Sequence, residues 1–284
     1  MFLPATTYQK GGTYIAKRYE DLTFTDDFMF CKVLEQHPEL CRELTSLILD
    51  RPVGKIVTFQ GQKEIRQSSD GRGVRFDVYF QDDNSQVYNI EMQPALHKNI
   101  PKRSRYYQGM IDLDLMEPGT EYDSLPNSYV IFISLNNLFP DIGLHRYTFT
   151  NLCHEKQDLE LGDGAVKIFI CAKGKDDSIS VKAKSFLKFL TDQIAEDDFT
   201  ILLKNAIENL RISKHWRKEY MTLQEKLYDA KKEGLAEGRK EGREEERQNT
   251  ERERLRAEAA EEKASRFEEK VRQLEAQLAA LQGK

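Results

Sequence analysis

Residues 74–93 read VRFDVYFQDDNSQVYNIEMQ, two runs of alternating apolar and polar residues joined by a cluster of turn-forming side chains. Every second residue of the first run, 74–80, is apolar, which is typical of a strand with one buried face. The second run, 87–93, alternates in the same way. The pattern therefore predicts a hairpin in which Asp77 faces away from the apolar residues of its run, while Glu91 and Gln93 share one face of the other strand.

The connection between the two runs determines whether their carboxylates meet. A five-residue connection, 82–86, or a β-bulge places Asp77 opposite Glu91, where cross-strand side chains lie within contact distance. A slip of one residue would separate them. Two adjacent carboxylates repel each other and lose hydration, so the pair requires a cation or a shared proton.

Mg²⁺ suits such a pair because it prefers hard oxygen ligands, keeps several waters and binds one or two protein carboxylates. Asp77, Glu91 and a main-chain carbonyl of the segment 91–93 can surround one ion. A metal held there can acidify a water for in-line attack on a phosphodiester. The spacing alone also leaves a second interpretation open, in which both carboxylates are solvated on the open face of an edge hairpin.

The elements around the hairpin can be predicted from periodicity and breakers. In order they are a helix over 28–34 capped by Thr25 or Asp26, a helix over 39–49, a strand over 56–59, the hairpin, a helix after Pro101 that ends at Pro118-Gly119, and a strand over 129–135. The sum is an αβββαβ arrangement of the α/β class.

Several motifs together resemble a known family. They are DLTFTDDFMF at 21–30, RFDVYF at 75–80, NIEMQ at 89–93, KRSRYYQGMIDLDLMEPGTEY at 102–122, YVIFI at 129–133 and glycine-punctuated EG repeats near the C-terminus. With them the chain resembles the PD-(D/E)XK nuclease superfamily and, within it, the bacterial recombination-promoting nuclease and transposase group. The resemblance implies a restriction-endonuclease-like αβββαβ core with added helices, and a Mg²⁺-dependent DNA endonuclease in which Mn²⁺ can substitute.

The resemblance also implies roles for particular residues. Asp77 and Glu91 match the metal-binding carboxylates, and Gln93 stands where the wider superfamily more often has lysine. Glutamine offers a neutral amide where lysine offers a positive charge, so rate and activity depend on this substitution. Asp27 matches an acidic position on the first helix that can hold a metal-bound water.

Residues beyond the hairpin are candidates for DNA contact. Arg103 and Tyr107 are four apart and share a helix face, and guanidinium and tyrosine groups suit phosphate oxygens. The alternative is a basic helix surface that is merely solvated, and for Arg105 this alternative is favoured. His97 follows Gln93 closely but is interpreted as incidental to catalysis.

Composition limits the function classes. The 284 residues carry a formal net charge of −5, so DNA contact must be local and not a general basic surface. No stretch is apolar enough to span a membrane, residues 1–10 lack signal-peptide features, and the predicted location is the bacterial cytoplasm. The cysteines lack zinc-site spacing and are expected to be reduced and mostly buried.

The C-terminal part continues with a strand over 167–172 and helices over 182–190, 199–210 and 216–227, in which Trp216 is expected to pack and not to stack on bases. We expect a nuclease-like domain over 20–228. Segment 229–256, with Gly234, Gly238 and Gly242, is a charged linker or helix, and the linker is preferred because each glycine costs about 1 kcal/mol in a helix.

From residue 257 onward the sequence has the spacing of a coiled coil. The apolar seam consists of Ala257, Ala260, Ala264, Phe267, Val271, Leu274, Leu278 and Leu281. We therefore expect 257–284 to be an oligomerisation helix and the protein to be a homo-oligomer, with a dimer favoured. Two functions remain open: a metal-dependent DNA endonuclease, or a catalytically silent relative that binds DNA or a protein partner through the same scaffold.

Overall fold

A computed structural model of the chain describes residues 17–66, 73–97, 99–176 and 179–282, the last four of them without their side chains. The chain divides into two units, Met1–Leu223 and Gln224–Lys284. The first contains the mixed α/β structure, and the second is the continuation of the last helix. No helix in the described part of the chain is long and apolar enough to cross a membrane.

The elements follow the predicted order. The helices are α1 (Asp27–Gln36), α2 (Pro38–Leu49), α3 (Ile100–Leu115), α4 (Val181–Asp192), α5 (Asp198–Ile212) and α6 (Lys214–Gln282). The strands are β1 (Ile56–Gly61), β2 (Glu64–Ile65), β3 (Val74–Arg75), β4 (Val78–Asp82), β5 (Val87–Gln93), β6 (Ser128–Ser134), β7 (Arg146–Phe149) and β8 (Ala165–Cys171). The predicted αβββαβ core corresponds to α1, β1, β4, β5, α3 and β6.

The main sheet has the order β1-β4-β5-β6-β8-β7 within the described residues. Strands β1, β4 and β5 form an antiparallel meander. Strands β5, β6 and β8 are parallel, and β7 pairs antiparallel with β8 at the other edge. The hairpin of β4 and β5 thus lies inside the sheet, which excludes the edge-hairpin interpretation of the two carboxylates.

Helices cover both faces of this sheet, which explains why the central strand β6 carries buried apolar side chains on both sides. One face packs against α1, α2, α4 and α5, with Phe30, Leu44 and Leu203 fully buried. The other face packs against α3 through residues such as Tyr107 and Ile111. The polar side chains of β5 that point toward α3 are therefore enclosed beneath that helix.

The prediction of one continuous strand over 74–80 was wrong. Strand β3 ends at Arg75, β4 begins at Val78, and the chain bends at Phe76 and Asp77 between them. The bend moves Phe76 into the core beneath α3, whereas Val78 joins the core on the opposite face. Strand β3 pairs with β2 in a separate two-stranded sheet, which removes Asp77 from the regular ladder.

Of the registers that the sequence left open, the structure shows the one with a five-residue connection. Val78 pairs with Ile90 and Gln81 with Val87, which leaves the five residues 82–86 as the connection. Continuing this register by one step brings Asp77 opposite Glu91.

Predictions for the remaining segments had mixed outcomes. The strand over 146–149 was missed, whereas the strand over 167–172 and the helices over 182–190 and 199–210 were confirmed within a few residues. Trp216 is half-buried against the core, with the Lys32 ammonium 4.8 Å from its ring centre, as expected for a packing residue. The cysteines are free, and those at 31, 41 and 171 are buried.

In the second unit, the glycine-punctuated segment is helical. Helix α6 passes through Gly234, Gly238 and Gly242 without interruption, so the structure shows the helix alternative and not the preferred linker. Apolar residues of the proposed seam are exposed along this helix, including Phe267 at 74% and Leu274 at 56%. The side chain of Leu281 lies outside the described residues.

Candidate active site

The bend before β4 and the end of β5 bring Asp77 and Glu91 together. The amide of Asp77 donates to Glu91 Oε1 at 3.0 Å, and the amide of Met92 donates to Asp77 Oδ2 at 3.1 Å. Each carboxylate therefore accepts a main-chain N–H from the strand that carries the other. These reciprocal hydrogen bonds fix both side chains at the same end of the hairpin.

Both carboxylates are buried, with Glu91 fully enclosed and Asp77 8% exposed. Burial, followed by the charge of Glu91, raises the pKa of Asp77 from 3.8 to about 8. Burial also raises the pKa of Glu91 from 4.5 to about 7, although the nearby Arg103 favours its ionised form. Ionising both groups is thus unfavourable unless positive charge is added.

Glu91 is held by two further side chains. Asn89 Nδ2 donates to Glu91 Oε1 at 3.0 Å, and Arg103 Nη2 donates to Glu91 Oε2 at 2.6 Å. The arginine comes from the first turns of α3 and reaches the sheet from above. Sequence reasoning predicted Arg103 as a phosphate ligand, but the structure places its guanidinium on the candidate metal ligand itself.

The same arginine also contacts Gln93 and Tyr107. Its Nη1 donates to Gln93 Oε1 at 3.1 Å, and its Nε donates to the Tyr107 hydroxyl at 2.8 Å. The guanidinium carbon lies 4.9 Å from the centre of the Tyr107 ring and 5.3 Å from that of Phe132. Gln93 in turn donates its amide to the Met92 carbonyl at 2.9 Å. Arg103 therefore contacts four residues, Glu91, Gln93, Tyr107 and Phe132, around the position where the wider superfamily more often has lysine.

Helix α1 contributes two side chains from beneath the bend. Burial, followed by the charge of Asp77, raises the pKa of Asp27 from 3.8 to about 7. One turn further along, the Cys31 thiol donates to the main-chain carbonyl of Asp77 at 3.2 Å. The main-chain N–H of Gln62 donates to the same carbonyl at 2.9 Å. Two donors from different elements thus hold the carbonyl of Asp77 in place.

The described residues do not assemble a three-carboxylate metal cluster. In the ranges that the structure describes, no group of three or more His, Cys, Asp or Glu side chains is arranged to hold a metal ion. Asp27 forms no such cluster with the pair in those ranges, and its role of holding a metal-bound water stays a prediction. Arg105 and His97 are exposed. For Arg105 this agrees with the solvated interpretation.

Two residues of the site, Asn89 and Cys31, were missed by sequence reasoning, although each carries a periodic signal. Asn89 is two residues before Glu91 on the same strand face, and its Oδ1 is buried without a hydrogen-bond partner in the described part of the chain. Cys31 is four residues after Asp27 and so lies on the same face of α1. A search for polar residues two positions from Glu91 on its strand and four positions from Asp27 on its helix would have found both.

The donor set fits a hard divalent cation. Asp77 Oδ1 has no hydrogen-bond donor among the described residues, and Glu91 Oε2 is held only by Arg103. Two carboxylates from adjacent strands are what Mg²⁺ takes from a protein when the remaining ligands are water or phosphate oxygens. A soft metal would require sulfur or imidazole ligands, and the one thiol nearby is engaged with the main chain.

The family model for PD-(D/E)XK nuclease family transposases matches residues 25–233, which include every residue of this site. The chain belongs to this family. Its central mixed sheet and flanking helices agree with a restriction-endonuclease-like fold, as predicted. Membership supports a nuclease or mobile-element-associated role and, in general terms, dependence on a divalent metal. No curated protein and no solved structure matches the chain.

Proposed function

We propose that the protein is a divalent-metal-dependent DNA endonuclease that hydrolyses phosphodiester bonds in the bacterial cytoplasm. Mg²⁺ is the proposed metal, and Mn²⁺ can replace it. The observation that carries the proposal is the pair of buried carboxylates, Asp77 and Glu91, locked together by reciprocal main-chain hydrogen bonds. Such a pair is unfavourable in isolation and becomes favourable around a cation.

A shared proton is the other way to relieve this repulsion, and the contacts argue against it. Asp77 and Glu91 accept main-chain donors from each other's strands, and no direct hydrogen bond joins the two carboxyl groups in the described structure. Glu91 also accepts a charged donor from Arg103, which favours the ionised form. The arrangement is therefore suited to two carboxylates and added positive charge.

Each residue then has a defined task. Asp77 and Glu91 would hold the metal, which supplies an acidified water and stabilises charge on the phosphate. Arg103 is anchored by Tyr107, and its guanidinium suits the charge that develops on phosphate oxygens. Asn89 and Cys31 hold Glu91 and the Asp77 main chain in place.

The silent binding module remains the second candidate, and one contact favours it. Arg103 occupies Glu91 Oε2, and Gln93 brings no charge to the position of the superfamily lysine. A protein in which Arg103 always stays on Glu91 would keep the nuclease scaffold but bind no metal. Cleavage assays separate the two candidates, because only the enzyme cuts DNA and stops cutting when a chelator removes the metal.

The second unit supports a homo-oligomer, and we propose a dimer. Phe267, Val271 and Leu274 are exposed along one long helix, and pairing two such helices would bury them. Two nuclease units held together could then cut opposite DNA strands. The direction of the paired helices is left open by the seam.

The proposal is tested by plasmid cleavage with the full chain. Cutting should require Mg²⁺ or Mn²⁺, stop with EDTA, and fall at least about 100-fold in Asp77→Asn and Glu91→Gln, because each removes a ligand charge at nearly constant shape. Arg51→Met is the matched control, since it removes a half-buried arginine that contacts Tyr129 and Gln86 away from the site. Undiminished cutting by the Asp77 and Glu91 variants would refute the assignment.

A further inference from the structure

We propose that Arg103 is the exchangeable counter-ion of the metal site. It neutralises Glu91 in the metal-free protein, releases Glu91 Oε2 when a divalent cation binds, and stays at Gln93, where it provides the positive charge that glutamine lacks. This inference rests on the proposed function, since it concerns the same two carboxylates. It assigns Arg103 to the metal centre and not to a peripheral phosphate contact.

The contacts of Arg103 divide into two groups. One is the ion pair through Nη2 to Glu91 Oε2 at 2.6 Å. The other consists of Nη1 to Gln93 at 3.1 Å, Nε to the Tyr107 hydroxyl at 2.8 Å, and the faces of two aromatic rings. Losing the ion pair leaves the second group intact. Arg103 can therefore yield Glu91 with a small movement and without leaving the site.

The charges around Glu91 favour this exchange. Glu91 is fully buried, so an ionised Glu91 needs a cation at Oε2 at all times. Its other oxygen, Oε1, already accepts from the Asp77 amide and from Asn89. Arg103 and an incoming divalent ion consequently meet at the one oxygen that remains, and the repulsion between their positive charges opposes joint occupancy.

The side chain at position 93 explains why the positive charge comes from an arginine on another element. A lysine at position 93 would supply the charge from β5, whereas Gln93 accepts a hydrogen bond from Arg103 and donates one to the Met92 carbonyl. The glutamine thus positions a cation that comes from α3. Gln93 and Arg103 together supply the charge and the hydrogen bond that one lysine would supply.

Mn²⁺ titration followed by electron paramagnetic resonance tests the competition without relying on activity. The proteins are the full-length wild type, Arg103→Met and the control Arg51→Met, whose arginine also contacts a tyrosine hydroxyl, a tyrosine ring and a glutamine oxygen. We expect Arg103→Met to bind Mn²⁺ at least about tenfold more tightly, because the competing cation is gone. Arg51→Met should bind like the wild type.

Plasmid cleavage by the same proteins provides the second readout. Arg103→Met should cut more slowly than the wild type although it binds metal more tightly. The loss of an arginine with a purely structural role would not change the two quantities in opposite directions.

Arg103→Lys is the second variant, to be used if Arg103→Met does not fold. It keeps the charge but cannot bridge Glu91, Gln93 and Tyr107 at once, so it should show a smaller tightening.

Unchanged or weaker Mn²⁺ binding by both Arg103 variants would overturn the inference. In that case, Mn²⁺ binding by the wild type that is lost in Glu91→Gln would still support the proposed function. If the wild type neither binds Mn²⁺ nor cuts DNA, the proposed function fails instead. Mn²⁺ binding by Arg103→Met but not by the wild type would still support competition between Arg103 and the metal for Glu91.

Discussion

Asp77 is a residue whose ionised form opposes folding in the metal-free protein. Its pKa is raised to about 8 by burial and by Glu91, so between about pH 4 and pH 8 the folded state binds a proton that the unfolded state has lost. The free energy of unfolding must therefore fall as the pH rises through this window. A site that is unfavourable without its cation is expected where function competes with stability.

Asp77→Asn is predicted to remove much of this pH dependence. The wild type in EDTA should lose up to about 1.4 kcal/mol per pH unit from this group between about pH 5 and pH 8, whereas the variant should show a shallower slope. Urea unfolding at both pH values measures the difference. Equal slopes would show that Asp77 is not the group that opposes folding.

Cys31 offers a separate prediction, because its thiol supports the Asp77 carbonyl and not a carboxylate. Cys31→Ala should lower the free energy of unfolding by roughly 1–2 kcal/mol and weaken Mn²⁺ binding, since the bend loses one brace. Cys41→Ala is the control, a second fully buried cysteine in the same core cluster. It should lower stability in urea to a similar extent and leave Mn²⁺ binding unchanged. Equal metal binding by all three proteins would contradict a positioning role for Cys31.

At the scale of elements, the sequence was most informative where the signal is local. The alternation over 87–93 predicted that Glu91 and Gln93 share a face, and the five-residue connection 82–86 was one of the registers that the sequence left open. The bend at Asp77 could not be predicted, because the apolar alternation continues through it. It arises from tertiary contacts, with β3 pairing to β2 and α1 holding the Asp77 carbonyl.

The ion pair between Arg103 and Glu91 lay equally beyond sequence reasoning. The spacing of Arg103 and Tyr107 predicted a shared helix face, which the structure confirms. Which residues of the sheet this helix face contacts depends on how α3 crosses the sheet, and no local sequence pattern predicts that crossing. The helix through the three glycines was only the less favoured of two alternatives, because the intrinsic helix propensity of glycine is low.

Replacing Gly234, Gly238 and Gly242 by alanine is predicted to stabilise α6. An added Cβ at these positions has no neighbour within 4 Å, so the gain should be about 1 kcal/mol per glycine in an exposed helix interior. Circular dichroism should show a higher helical signal, and sedimentation should show an unchanged oligomer. A loss of the oligomer would instead indicate close helix packing along the glycine side.

At the scale of the whole molecule, the candidate site lies in the first unit and the proposed oligomer seam in the second, so we expect their tasks to be separable. Substituting the seam should therefore change how many strands are cut per encounter without abolishing cutting. The net charge of −5 agrees with DNA contact that is local to the site.

Leu274→Glu with Leu278→Glu is predicted to convert a dimer into a monomer, because two buried charges on each helix oppose pairing. Sedimentation velocity measures the state, and plasmid assays should show nicking retained while linearised product falls. Gln273→Glu with Gln277→Glu adds the same charge to the same helix outside the seam and should remain dimeric. A wild type that sediments as a monomer would contradict the proposed pairing.

The most direct test of the metal site is a crystal of the full chain grown with Mn²⁺ and measured at the manganese absorption edge. The expected result is one anomalous peak about 2.2 Å from oxygens of Asp77 and Glu91, with the Arg103 guanidinium turned away from Glu91 and still at Gln93. A peak elsewhere, or no peak between these carboxylates in protein that cuts DNA, would contradict the assignment of Asp77 and Glu91 as the metal ligands.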